Sequence, residues 1–130
     1  MRRVFLDANV LFSAAYREAP EMLALWHLPE VALLTSGYAA AEARRNLELP
    51  KRLARLDQLL AAVEIMPEAP WTPLPGGVAL PVNDEPILRA AIASGATDLL
   101  TGDLKDFGPL MGKRYGSVLI QMPGEFLRGL

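Results

Sequence analysis

Four acidic residues stand where a hydrolytic site would need them. Asp7 directly follows the apolar run Val4-Phe5-Leu6. Asp103 closes Thr101-Gly102-Asp103, just past the apolar run that begins at Asp98. Asp84 heads the segment Glu85-Pro86-Ile87-Leu88, and Glu42 lies among Ala39, Ala40, Ala41 and Ala43. Small neighbours let a glutamate face inward without obstruction. Carboxylates gathered in this way repel, by about 4 kcal/mol for two charges 4 Å apart at an effective dielectric near 20. Such a cluster persists only when protons or cations neutralise it. Cysteine is absent and His27 is the only histidine, so the ligand set is all oxygen. Oxygen ligands favour Mg²⁺ or Mn²⁺ over zinc. One or two such ions can activate a water and stabilise the departing oxygen of a phosphodiester.

Each acid also has a plainer reading. Asp7 and Asp84 precede helical segments and suit helix caps. Asp103 suits a turn, and Glu42 suits a solvated helix face. Glu48 competes with Glu42 in the same predicted helix, but lies farther from the strand end. Asp98 sits at the start of its strand, the opposite edge from Asp103, and is set aside.

The elements that position these residues alternate. Apolar runs at Val4–Leu6, Val31–Leu34, Glu64–Met66, Asp98–Thr101 and Ser117–Gln121 read as five short strands. Helical patterns run from Ala8 to Tyr16, Glu21 to Leu28 and Gly37 to Leu49, the last capped by Ser36. A further helix starts at Pro50, with Leu53, Leu56, Leu59, Leu60 and Val63 as its apolar stripe. Asp84 opens another, followed by a short turn at Leu104–Leu110 and a terminal helix from Gly124. Short apolar strands separated by helices imply a mainly parallel sheet covered on both faces, with ligands at the carboxyl ends of the strands. Pro67–Val82, with its five prolines and Gly76-Gly77, reads as a long loop that is either functional or mobile.

Composition sets the limits. At 130 residues, 52% hydrophobic and 22% charged, the chain reads as one folded domain, residues 1–130. The longest uncharged stretch, Ala69–Asn83, is 15 residues broken by four prolines and cannot span a bilayer. Asp7 interrupts the apolar N-terminus too early for a signal peptide, so a soluble cytoplasmic protein is the expectation. The net charge of −2 argues against indiscriminate binding to nucleic acid. Without the four acids, however, 13 basic residues face 11 acidic ones, a balance of +2.

The segment Val4-Phe5-Leu6-Asp7-Ala8-Asn9-Val10-Leu11 resembles the opening strand and Asp-x-Asn motif of PIN domains. Residues 83–107, NDEPILRAAIASGATDLLTGDLKDF, resemble the second PIN signature. The resemblance runs through nearly the whole chain. It implies an α/β/α sandwich with a mainly parallel sheet of about five strands. It further implies a Mg²⁺- or Mn²⁺-dependent ribonuclease, similar to the VapC-type toxins of toxin–antitoxin pairs. On that resemblance Asp7, Glu42, Asp84 and Asp103 form the metal-binding quartet. Asn9 and Thr101 are supporting polar residues, and Asp106 is an outer acid or a cap of the next short turn. The implied partners are RNA and an antitoxin protein. A binding or regulatory module on the same fold is the alternative. Receiver-type and haloacid-type phosphoryl-transfer folds need different residues after the first strand, and Asp7-Ala8-Asn9 satisfies neither.

Arg44 and Arg45, next to Glu42, are candidate RNA-phosphate contacts. Lys51, Arg52 and Arg55 extend that basic region. Trp71, in the proline-rich loop, could stack on a base or simply pack. The apolar content near Leu11, Phe12, Met22 and Leu25 leads us to expect a homodimer.

Overall fold

The computed structural model describes all 130 residues. Strand β1 (Arg2–Leu6) leads into helix α1 (Ala8–Tyr16), short helix α2 (Pro20–Leu23) and a 3₁₀ turn over Ala24–His27. Strand β2 (Val31–Ser36) is followed by α3 (Gly37–Arg45), α4 (Pro50–Leu60) and β3 (Glu64–Met66). After the long loop come α5 (Glu85–Ala93), β4 (Asp98–Leu100) and α6 (Leu104–Phe107). The chain ends with β5 (Arg114–Tyr115), β6 (Val118–Gln121) and α7 (Pro123–Arg128).

The sheet order is β3-β2-β1-β4-β6-β5. All neighbours are parallel except β5 and β6. The expected five strands are therefore six. The missed strand is the two-residue β5, which pairs with β6 across a turn at Gly116, where φ is +60°. Two residues are too few to show an alternating pattern, and only the glycine marks the turn.

Chain order runs outward from β1 in one direction through β2 and β3, then in the other through β4 and β6. Right-handed crossovers in opposite directions place their helices on opposite faces, which gives the α/β/α sandwich. In keeping with this, α1 packs on both α3 and α4, while α5 packs on β2 and β4. The core joins Phe5, Leu6, Leu34, Leu99, Leu100 and Ile120 from the sheet with Leu11, Leu56, Leu88, Phe107 and Phe126 from the helices. Each such side chain contributes about 1.5–3 kcal/mol relative to exposure. That packing holds β1 and β4 in register, Leu6 beside Leu100, so the residues after them meet.

Three other expectations change. α3 stops at Arg45 rather than Leu49. Leu49 precedes Pro50 and is extended, as the proline ring requires, so Glu48 lies outside the helix that carries Glu42. The Glu21–Leu28 segment divides into α2 and the 3₁₀ turn. Leu11 and Leu25 are in the core rather than on the surface, and Phe12 and Met22 are half-buried against it. The apolar excess behind the expected dimer is therefore smaller than the sequence indicates. No helix is long and apolar enough to cross a membrane.

Candidate metal centre

The strand order reverses direction between β1 and β4, and a crevice opens at the carboxyl ends of such a pair. Asp7 leaves β1 at this point, and Thr101-Gly102-Asp103 leaves β4. The Asp7 amide still donates to the Leu100 carbonyl at 3.0 Å, so the ladder continues into the site.

Asp7 is only 3% exposed. Its Oδ1 accepts from the Ala8 amide at 2.6 Å. Its Oδ2 accepts from Thr101 Oγ1 at 2.8 Å and Asn9 Nδ2 at 3.0 Å. Asp7 therefore caps α1 through Oδ1, while Thr101 and Asn9 hold Oδ2. Thr101 Oγ1 accepts in turn from Asn9 Nδ2 at 3.1 Å and from the Asp103 amide at 3.1 Å. Asn9 Oδ1 accepts from the Gly102 amide at 2.7 Å. A β-carbon on Gly102 would lie 3.4 Å from Asn9 Oδ1, in van der Waals contact. Asn9 and Thr101 therefore lock together the two backbone segments that leave β1 and β4.

The other acids arrive from separate elements. Asp103 Oδ1 accepts from the Asp106 amide at 3.0 Å and caps α6. Asp84 precedes α5 but makes no capping bond, so that plainer reading of it fails. One carboxylate oxygen each of Asp84, Asp103 and Asp106 lie within 4.8 Å of one another. This places Asp106 inside the close group, nearer than the outer position the sequence gives it. Asp7 and Glu42 flank the trio rather than join it, and Glu42 is near enough to act on Asp7 by charge.

The electrostatics follow from burial first and from this crowding second. Burial pushes the Asp7 carboxyl up to about 6, against the pull of the Thr101 and Ala8 hydrogen bonds, with Glu42 and Asp103 adding repulsion. Asp84 rises to about 7, first through burial, then through its contact with Asp106, then through Asp7 and Asp103. Tyr38 is pushed up as well, by burial and by the charges of Glu42 and Asp84. Its hydroxyl donates to the Asn83 carbonyl at 2.7 Å, joining α3 to the entry of α5. Sequence reasoning missed Tyr38. The available signal was its place four residues before Glu42, on the same helix face.

These residues fit a divalent cation. The donors are carboxylate oxygens only, and at neutral pH their mutual repulsion is unrelieved except by protons. An open groove of about 510 Å³ beside Asn9, Ser13, Glu42, Gly102 and Asp103 gives access.

The basic residues divide. Arg44 pairs with Asp57 of α4 at 2.7 Å, so the candidate phosphate contact is occupied by an intramolecular partner. Arg55 donates to the Ala15 carbonyl and lies 3.6 Å from Glu18, and Arg52 stacks on the Tyr16 ring at 3.8 Å. Arg45 is exposed and lies close enough to Tyr38 to act on it by charge. Asp98 is buried at the far end of β4, bonded to Thr97 and Gln121, and takes no part in the site.

A parallel sheet with acids at its switch point is the PIN-like arrangement that the two sequence motifs resemble. No protein-family model and no curated protein match the sequence. Solved structures do match. VapBC2 from Rickettsia felis, bound to a DNA fragment from its promoter, superimposes with a TM-score of 0.67 at 17% identity, covering 92% of this chain and 98% of that one. VapBC-1 from nontypeable Haemophilus influenzae gives a TM-score of 0.61 at 15% identity, covering 94% of this chain and 98% of that one. The chain has the PIN-like fold of these VapBC structures.

Proposed function

We propose that this protein is a divalent-metal-dependent endoribonuclease acting as the toxin of a type II toxin–antitoxin pair. The observation that carries the reading is the convergence of acids from β1, α3, the head of α5 and the end of β4 at one switch point. Asp84, Asp103 and Asp106 would hold Mg²⁺ or Mn²⁺, with Asp7 and Glu42 completing the negative site. When bound, the ion would activate water for attack and stabilise the leaving oxygen of the phosphodiester.

The remaining work falls to the chain itself. Asn9 and Thr101 hold the Asp7 carboxylate in one orientation. Burial of Asp7 excludes bulk water from that side and strengthens every charge interaction there. The exposed Arg45 would meet a backbone phosphate near Glu42. The likeness to VapBC structures supports an antitoxin partner, and the half-exposed Phe12–Tyr16 ring pair on α1 supports self-association.

The test is incubation of the purified protein with structured and single-stranded RNA, with Mn²⁺, Mg²⁺ or EDTA. Internal cleavage with either metal and none with EDTA is the expected result. Intact RNA at every metal concentration, with no Mn²⁺ binding by calorimetry, would instead leave a PIN-fold binding module.

A further inference from the structure

A second cavity lies beside the acids, on the Tyr38 and Asp84 side. It measures about 230 Å³ and is lined by Ser36, Tyr38, Glu68, Trp71, Pro86 and Arg89. That is below the roughly 300–1,000 Å³ usual for pockets that enclose whole ligands. It suits one flat ring system of a larger molecule. Trp71 is 73% exposed, the most exposed large aromatic residue in the chain. Much of the indole is therefore open to solvent beside the cavity.

Its loop is held in place. Arg89 Nε donates to the Thr72 carbonyl at 2.6 Å, and Arg89 Nη2 meets Glu85 Oε1 at 2.7 Å. The guanidinium lies 5.3 Å from the centre of the Trp71 ring. The Arg89 side chain is only 11% exposed, so it acts as a post on α5 to which residues 71–72 are fastened. Leu74, Val78 and Leu80 dock the rest of the loop on the core. The sequence left this segment as functional or mobile, and these contacts give it a fixed position beside the site.

Charge decides what the cavity accepts. Its one cation, Arg89, is already neutralised by Glu85. Glu68 makes no ion pair. A phosphate or an acidic peptide would therefore find no free positive partner and one repelling carboxylate. A neutral aromatic ring finds an indole face, and an amino group on that ring finds the Glu68 carboxylate as acceptor. Stacking on an aromatic side chain is the usual means of holding unpaired bases, and a carboxylate is the usual acceptor for the cytosine amino group.

We propose that this cavity binds one unpaired nucleobase of the RNA, stacked on Trp71 and read at its amino group by Glu68, next to the phosphate held at the acids. The proposal rests on the nuclease reading for its biological meaning, but base binding can be measured without cleavage. Bases that carry an amino group are favoured, with cytosine the pyrimidine that does so, and uracil, which has no amino group, is disfavoured.

The experiment uses the full chain with Ca²⁺, which neutralises the acids, and with Trp26→Phe so that Trp71 is the only tryptophan. Hexamers of cytidylate, of uridylate and of abasic ribose phosphate are titrated against its fluorescence. Oligocytidylate should quench Trp71, and Trp71→Ala, followed by anisotropy of a labelled oligomer, should lose affinity about tenfold. Oligouridylate should bind about tenfold more weakly than oligocytidylate, and Glu68→Ala should narrow that gap. Trp71→Phe should retain most of the binding, which separates loss of stacking from loss of folding. Equal affinity of the abasic oligomer, or no change in Trp71→Ala, overturns the base site and leaves the nuclease reading intact. Trp71-dependent binding without any Mn²⁺-dependent cleavage overturns the nuclease reading and leaves the base site.

Discussion

Thr101 donates its hydroxyl to Asp7 Oδ2 at 2.8 Å, across the seam where β1 and β4 separate. Thr101 Oγ1 itself accepts from the Asp103 amide and from Asn9 Nδ2, so one hydroxyl ties together the segments that carry two of the candidate acids. Thr101→Val keeps the shape and removes all three bonds. Stranding buried polar groups costs about 1–3 kcal/mol, read as a lower urea midpoint. Losing a partner that orients a metal-binding carboxylate costs about 10- to 100-fold in metal affinity, read by Mn²⁺ calorimetry. Reduced stability with unchanged Mn²⁺ affinity would make Thr101 a structural residue only.

Asp7→Asn tests the centre itself. Asn keeps an oxygen for the Ala8 amide, so the far-ultraviolet dichroism should not change. The charge that burial disfavours is removed, so stability at pH 8 should hold or rise. Mn²⁺-dependent RNA cleavage should fall by at least about 100-fold, the upper end of what even an outer-shell change costs. Cleavage at the wild-type rate would remove Asp7 from the mechanism.

The raised carboxyls set a pH dependence for the metal-free protein. Asp7 titrates near 6 and Asp84 near 7 when folded, against an ordinary value of 3.8 for both. Below pH 4 both states are protonated and neither group contributes. Between about pH 4 and 7 the unfolded chain loses these protons first, so stability falls as pH rises and levels off above pH 7. For buried Asp7 the loss is on the order of 3 kcal/mol. Asp84 adds in the same direction. Thermal melts in EDTA should therefore fall from pH 5 to pH 8, and Mn²⁺ should restore the difference at pH 8 but not at pH 5, where protons compete. A metal-free melting temperature that rises across this window would contradict the burial and crowding of these two carboxyls.

Much of the site is legible because strand-end position depends on local pattern. Asp7 and Asp103 follow apolar runs, and parallel strands bring such residues to one edge. Asp84 was harder to separate from a cap, since a cap and a ligand occupy the same place in sequence, and only the missing capping bond distinguishes them. Arg44 reads as a free cation because its partner, Asp57, is on another helix and meets it only when α3 and α4 pack. Asp106 reads as peripheral because the bend that turns it toward Asp84 is set by Asp103 capping α6. Strand β5 is invisible for want of length. Sequence conceals a tertiary contact at Arg44, a local capping geometry at Asp84 and Asp106, and sheer shortness at β5.

Asp98 provides the contrast to Asp7. It too is a buried aspartate on the central strands, 3% exposed, but at the opposite end of β4. Its carboxylate accepts from Thr97 Oγ1 at 2.7 Å and Gln121 Nε2 at 3.0 Å, with Arg2 at 3.8 Å. Those bonds join β4 to β6 and the start of β1, which is a structural task. Asp98→Ala should lower the unfolding free energy by about 1–3 kcal/mol, because Gln121 loses its buried acceptor. Asp98→Asn should cost less, since its oxygen still accepts. Neither should alter Mn²⁺ affinity or cleavage per folded molecule. Calorimetry beside urea titration separates the two aspartates: Asp7→Asn should lose metal and keep stability, and Asp98→Ala should lose stability and keep metal. A Mn²⁺ affinity that fell with Asp98→Ala would show that the two edges of the sheet are energetically coupled.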